Sequence, residues 1–304
     1  MGKKRLLLIA TALAVIFCLG IFAWALRDTT GPEPTYQGKP LSHWLSAFDP
    51  GWGSGATNPP PPPAVSDADT ALQAMRDDAI PHLLRKLHYR DAKLKRFILG
   101  ILSKQKLIKI TPVPQYSHFT AYAALSRMGP SASNAVPGLV EYFEHDPSPF
   151  PQTAVPNLLG SIGSPAAPAI PTLLKAAAHT NGIVRNNAIR ALGKVHADPG
   201  RVVPVLASLL HDPDPLVRAN AALALGEFKS DAKSSVPALV EQRRKEPHST
   251  NAAFSFNYGT PAGIIWLQPR WSGVGLGTNP NVALIITSAL ESIDPAAVPE
   301  SDAK

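Results

Sequence analysis

Val203-Pro-Val-Leu-Ala-Ser-Leu-Leu-His-Asp-Pro-Asp-Pro-Leu-Val-Arg218, continued by Ala219-Asn-Ala-Ala-Leu-Ala-Leu-Gly226, decides the fold of this 304-residue chain. It begins as a proline-started helix with Leu206, Leu209 and Leu210 at helical spacing. It then crosses a polar turn and enters an alanine-rich second helix that ends near glycine. Moving outward, the Val-Pro or Ile-Pro start recurs at Ile80-Pro81, Val136-Pro137, Ile170-Pro171 and Val236-Pro237. From Pro137 onward the starts lie 34, 33 and 33 residues apart. Proline suits the first turn of a helix, where its missing N–H would have no partner. The apolar segments Ala124-Leu125…Met128-Gly129, Leu158-Leu159-Gly160…Ile162-Gly163 and Ala191-Leu192-Gly193, each ending near glycine, precede the starts at Val136, Ile170 and Val203 in the same way. Small residues let helices approach closely, and a glycine near the end can take the left-handed cap conformation. One such hairpin cannot bury its apolar face alone, so its neighbours must stack on it.

The pattern resembles the HEAT repeat family, in particular the short bacterial HEAT-like units also seen in phycobilin lyases, and His211 to Gly226 is its clearest match. The resemblance covers about residues 67–245, with a return at Val282 to Ala297. It implies an all-α fold, an α-solenoid of about five to six helical hairpins. It also implies a structural ladder in which a turn aspartate and an arginine six residues later hydrogen-bond between repeats. Asp212 and Arg218 fit that ladder, and Arg185 fits with His179 in the aspartate slot. Asp146 is followed by Gln152 instead of arginine, which leaves the ladder incomplete. Tyr36 to Leu45 is similar to a motif of extracytoplasmic HEAT proteins, with Ser42 expected to cap a short helix whose Trp44 and Leu45 dock on the first repeat.

Residues 1–27 read as a signal-anchor. Gly2-Lys3-Lys4-Arg5 precedes twenty-one uncharged residues, Leu6 to Leu26. As a helix they span roughly 31 Å, one hydrocarbon core. The basic cluster keeps the N-terminus inside and sends the body outside the cytoplasmic membrane. The alternative is secretion after cleavage near Ala25, because Ala23-Trp24-Ala25 has the small-x-small form. Residues 28–66 are a Pro/Gly-rich linker with the run Pro59 to Pro63, an extended spacer. Residues 67–245 form the array, 246–281 a Gly/aromatic-rich insertion, and 282–304 a terminal helix and tail. Cys18 is the single cysteine, so an intrachain disulfide or a cysteine metal site is excluded.

The net charge of +7 is concentrated. Between Pro81 and Ile110 nine basic residues face the single acid Asp91. Arg85, Lys86, Arg90, Lys93, Lys95 and Arg96 form a candidate basic patch for an anionic surface or nucleic acid. Export argues against nucleic acid, and Leu94, Phe97, Ile98 and Ile101 make the stretch read first as a helix with a solvated face. In the insertion, Phe254, Phe256, Tyr258, Trp266 and Trp271 are candidate partner-binding residues, since aromatic side chains dominate hot spots. The competing role for these rings is to cover the end of the stack.

No motif of nucleophilic catalysis, zinc hydrolysis or phosphate cradling is present. Asp77-Asp78 open a helix, where carboxylates suit the dipole. His88, His145, His179 and His211 occupy matching places, seven or eight residues after the repeat proline. Stacked equivalents lie roughly 10 Å apart, whereas ligands of one metal converge within about 2 Å. They read instead as helix C-terminal caps. No catalytic, cofactor or metal residue is assigned, and the chain is expected not to be an enzyme. The expected function is a membrane-anchored scaffold binding a protein or peptide. The alternative, implied by one branch of the resemblance, is a lyase-type enzyme or accessory for a small ligand.

Overall fold

The computed structural model describes residues 32–49, 62–88, 117–246 and 282–298. A short antiparallel ribbon, β1 (Thr35–Tyr36) and β2 (Lys39–Pro40), leads into α1 (Leu41–Leu45). The repeats follow as α2 (Val65–Leu87), α3 (Ser117–Met128), α4 (Val136–His145), α5 (Pro149–Ile162) and α6 (Ile170–Ala177). The later ones are α7 (Gly182–Val195), α8 (Pro199–Leu209), α9 (Pro215–Glu227), α10 (Val236–Lys245) and α11 (Val282–Ile293). Helix α2 is a hairpin in one stroke: Arg76 has φ 26° and ψ −104°, which breaks the helix, and Asp77-Asp78 open its second half. The pairs α3/α4, α5/α6, α7/α8 and α9/α10 are the next four repeats, and α11 is the first helix of a sixth.

The proline starts act as expected at Pro137, Pro171 and Pro237, each in the first turn of its helix. In these three repeats a 3₁₀ segment (129–135, 164–169 or 229–235) bridges the two helices. Pro204 differs. It lies inside α8, which already begins at Pro199. There the turn is compressed onto His196 and Asp198, both left-handed at φ 49° and 51°, and the residues that are 3₁₀ elsewhere join the helix. His196 stacks on Phe228 of the next repeat at 4.7 Å, a contact that holds the strained corner.

The glycines divide into two roles, and only one was expected. Gly129 and Gly163 carry positive φ at helix ends. Gly160, Gly193 and Gly226 instead lie where first helices touch. A Cβ there would sit 3.1, 3.0 and 3.4 Å from the Cα of Ala191, Ala224 and Ala289. Three successive pairs of first helices therefore meet backbone to backbone. The second helices do not approach one another as closely, and each buries a leucine, Leu139, Leu173, Leu206 or Leu239. A stack that is tighter on one layer bends toward it, so the first helices line the concave side.

At the N-terminal end, Leu41, Trp44, Leu45 and Phe48 are buried against α2 and α3 and close the stack. Ser42 is not the cap: Pro40 holds that position, and the Ser42 N–H donates to Glu33 at 2.9 Å. Ser42 is already in the first helical turn, so a carboxylate from outside meets its orphan donor. Among the described residues no helix is long and apolar enough to cross a membrane. The segment 6–26 lies outside them, as do Cys18, Pro59 to Pro61 of the proline run, most of the basic stretch and the insertion 247–281.

Candidate functional site: the concave groove and the inter-repeat ladder

Turns from a second helix to the next first helix all lie on one edge of the stack. On that edge Arg185 donates to its own turn at His179 O (3.1 Å) and Thr180 O (3.0 Å), and reaches Asp212 of the next turn at 3.4 Å. Arg218 repeats this one unit later, on Asp212 O (3.0 Å) and Pro213 O (3.2 Å), with Glu246 at 2.6 Å. Asp212 and Arg218 thus meet through a backbone carbonyl, and the charged rungs are Arg185–Asp212 and Arg218–Glu246. Asp212 also accepts from Asp214 N–H at 2.9 Å, shaping the turn. Gln242 ties Glu246 (2.8 Å) to His211 (3.1 Å). Glu246 was missed in the sequence, although Glu246-Pro247 repeats the acid-proline pairs Asp146-Pro147 and Asp212-Pro213.

One rung earlier the ladder is neutral on both sides. Gln152 donates to Phe143 O (2.7 Å) and Asp146 O (2.9 Å), filling the arginine's place on its own turn. The next turn offers His179, whose Nδ1 accepts from Asn181 N–H at 3.0 Å, as Asp212 does for Asp214. At this neutral rung a cleft of about 230 Å³ opens, lined by Glu144, Pro147, Pro149, Gln152, Thr153, His179, Asn181 and Val184. Of the four matched histidines, His145 meets a helix carbonyl, Glu141 O, at 3.0 Å. His88 instead packs on Tyr142 at 4.1 Å, and His179 and His211 serve the turns. No group of three metal-ligating side chains occurs among the described residues.

The concave groove holds a second set of residues. Asn157, Arg190 and Leu223 occupy one register position on α5, α7 and α9, each 33 residues apart, and Ser161, Lys194 and Glu227 occupy another. The stem of Lys194 passes 3.6 Å from the Cβ direction of Gly160, and that of Glu227 3.7 Å from that of Gly193. Tyr122, from two repeats earlier, lies within electrostatic reach of Arg190. Burial pushes the Tyr122 phenol above its ordinary value, with Arg190 opposing. Burial also lowers Lys194, and the neighbouring Arg190 adds to this while Glu227 opposes. Beside these groups Ile183 is 53% exposed and Leu216 38%, at matching places one repeat apart. The signal available in the sequence was variation around a constant Leu-Gly pair: these positions change chemistry while Leu159-Gly160, Leu192-Gly193 and Leu225-Gly226 between them do not.

Of the sequence-based candidates, Arg85 and Lys86 lie on α2, with Lys86 3.9 Å from Glu33 and Arg85 3.1 Å from His82. Arg90, Lys93, Lys95 and Arg96 lie outside the described residues, as do Phe254, Phe256, Tyr258, Trp266 and Trp271.

Residues 170–254 match the family model for HEAT repeats. The chain is a HEAT repeat-containing protein. No curated protein matches it. The HEAT match runs from α6, the second helix of repeat three, to just beyond repeat five, and contains both charged rungs and the Gly193–Ala224 contact.

Proposed function

We propose that this HEAT-repeat protein is a membrane-anchored scaffold whose concave groove binds a protein or peptide outside the cytoplasmic membrane. HEAT repeats generally mediate protein–protein interaction. The observation that carries the reading is the groove itself. Positions 157, 190 and 223, and 161, 194 and 227, align side chains of differing chemistry along one face beside exposed Ile183 and Leu216. An extended partner can sample such rows. The cleft at the neutral rung, about 230 Å³, falls below the roughly 300–1,000 Å³ of pockets that enclose small ligands. The apolar run 6–26 supports the anchor, and the linker after it supplies reach. The helices that precede the basic stretch and the aromatic insertion in sequence, α2 and α10, both end on the ladder edge.

The test is carbonate extraction and external protease access on the full chain, followed by pull-downs from envelope fractions. Carbonate-resistant protein, digested from outside, whose partner is lost on Arg190→Glu together with Lys194→Glu, is the expected result. A body protected inside the cytoplasm, or capture indifferent to the groove variant, refutes the reading.

A further inference from the structure

Among the described residues the neutral rung stands directly before two charged ones. In the two following rungs the molecule seats a guanidinium between turn carbonyls and a carboxylate, at Arg185 and at Arg218. At the third turn Gln152 is too short to reach beyond its own carbonyls, and His179 brings no negative charge. The space an arginine head would take is left as the cleft. A carboxylate is nevertheless present, supplied by Glu144 from the end of α4. Among the described residues its one hydrogen-bond partner is the Thr172 hydroxyl, at 3.2 Å. Pro147 and Pro149 wall the cleft with apolar surface suited to a methylene stem.

We propose that this cleft is a receptor for one arginine side chain of a bound partner, with Glu144 as its counter-ion and the Pro147/Pro149 walls holding its stem. The partner completes from outside the rung that the chain leaves open. Gln152 spends its amide N–H groups on the turn, so its oxygen remains to accept from the incoming guanidinium, a planar fork suited to two such acceptors. This inference deepens the scaffold reading, and its test does not depend on finding the natural partner.

The probes are two fluorescein-labelled pentapeptides, Gly-Ser-Arg-Ser-Gly and the same peptide with citrulline, titrated by anisotropy against the full chain in detergent. Citrulline keeps the shape and removes the charge. The arginine peptide should bind about tenfold more tightly than the citrulline peptide, the effect of one ion pair near 1.4 kcal/mol. Glu144→Gln should remove that preference without moving the melting temperature. The double variant Gln152→Arg/His179→Asp, which closes the rung from within, should abolish binding while the protein melts no lower. Equal binding of the two peptides, or a preference that survives Glu144→Gln or the double variant, overturns the proposal. Failure here with a groove-dependent pull-down intact removes the arginine seat and leaves the scaffold.

Discussion

The third turn and the fifth turn do the same mechanical work with different chemistry. At the fifth, Arg218 spans two turns and pairs with Glu246, which is 7% exposed. At the third, Gln152 satisfies two carbonyls of its own turn and stops there. The turn is held in both cases, but only the charged rung also couples neighbouring repeats. Capping the chain and tying repeats together are therefore separable tasks, and the stack tolerates the loss of the second because its first helices are already locked backbone to backbone.

That last point can be broken directly, and it carries the largest expected effect. Gly193→Val places branched carbon against Ala224, where even a single Cβ would lie 3.0 Å from the Cα. Overpacking against a backbone that cannot yield should cost about 3 kcal/mol, seen as a lowered denaturant midpoint. A loss no larger than that of a surface control would mean that the close contact does not hold the stack.

Next comes the rung comparison itself. Arg218→Ala leaves the buried Glu246 carboxylate with Gln242 alone and should cost about 2 kcal/mol. Gln152→Ala removes neutral hydrogen bonds alone and should cost about 1 kcal/mol. Denaturant melts of both variants check the ratio, and equal losses would erase the distinction between the rungs. Converting the neutral rung tests it in the other direction. Gln152→Arg with His179→Asp should gain about 1 kcal/mol over the sum of the two single variants in a double-mutant cycle. A coupling energy near zero would show that the charges do not meet.

The smallest effect is on pH dependence. His118 packs on Phe119 at 3.9 Å and Phe150 at 4.6 Å, and burial holds its pKa below the ordinary value. Burial lowers His88 likewise, with Glu141 and Asp146 opposing. The folded state thus resists a proton that the unfolded chain accepts near pH 6.5. This stability is complete above about pH 6.5 and is lost as pH falls below it. The melting temperature should fall between about pH 7.5 and 5, and His118→Phe should make that fall shallower. An unchanged slope would remove His118 from the account.

Much of the architecture was legible because periodicity is a local signal. The Val-Pro and Ile-Pro starts at 136, 170 and 236 and the apolar runs before them report helix phase with no knowledge of neighbours, and Trp44 and Leu45 read correctly as docking residues. Pro204 misled because a helix start depends on the turn before it, and His196 and Asp198 reset that turn through left-handed backbone. Gly160, Gly193 and Gly226 looked like caps because one chain segment cannot reveal that another backbone arrives beside it. Ser42 failed for the same reason, since Glu33 lies nine residues away in sequence and only the fold brings it to the helix end. Arg185 was placed in the ladder, but its charge partner was not assigned from the sequence.

By itself the sequence determined that helices would form in pairs about 33 residues apart, that their apolar faces would demand stacking, and where charge and aromatic residues would be concentrated. These follow from spacing and composition, which act along the chain. The tertiary structure alone decided which layer would be concave, which acid each arginine would reach, and where a rung would stay open. Those outcomes depend on how closely two backbones approach and on which side chains face each other across the gap, and no pattern within one repeat contains either quantity.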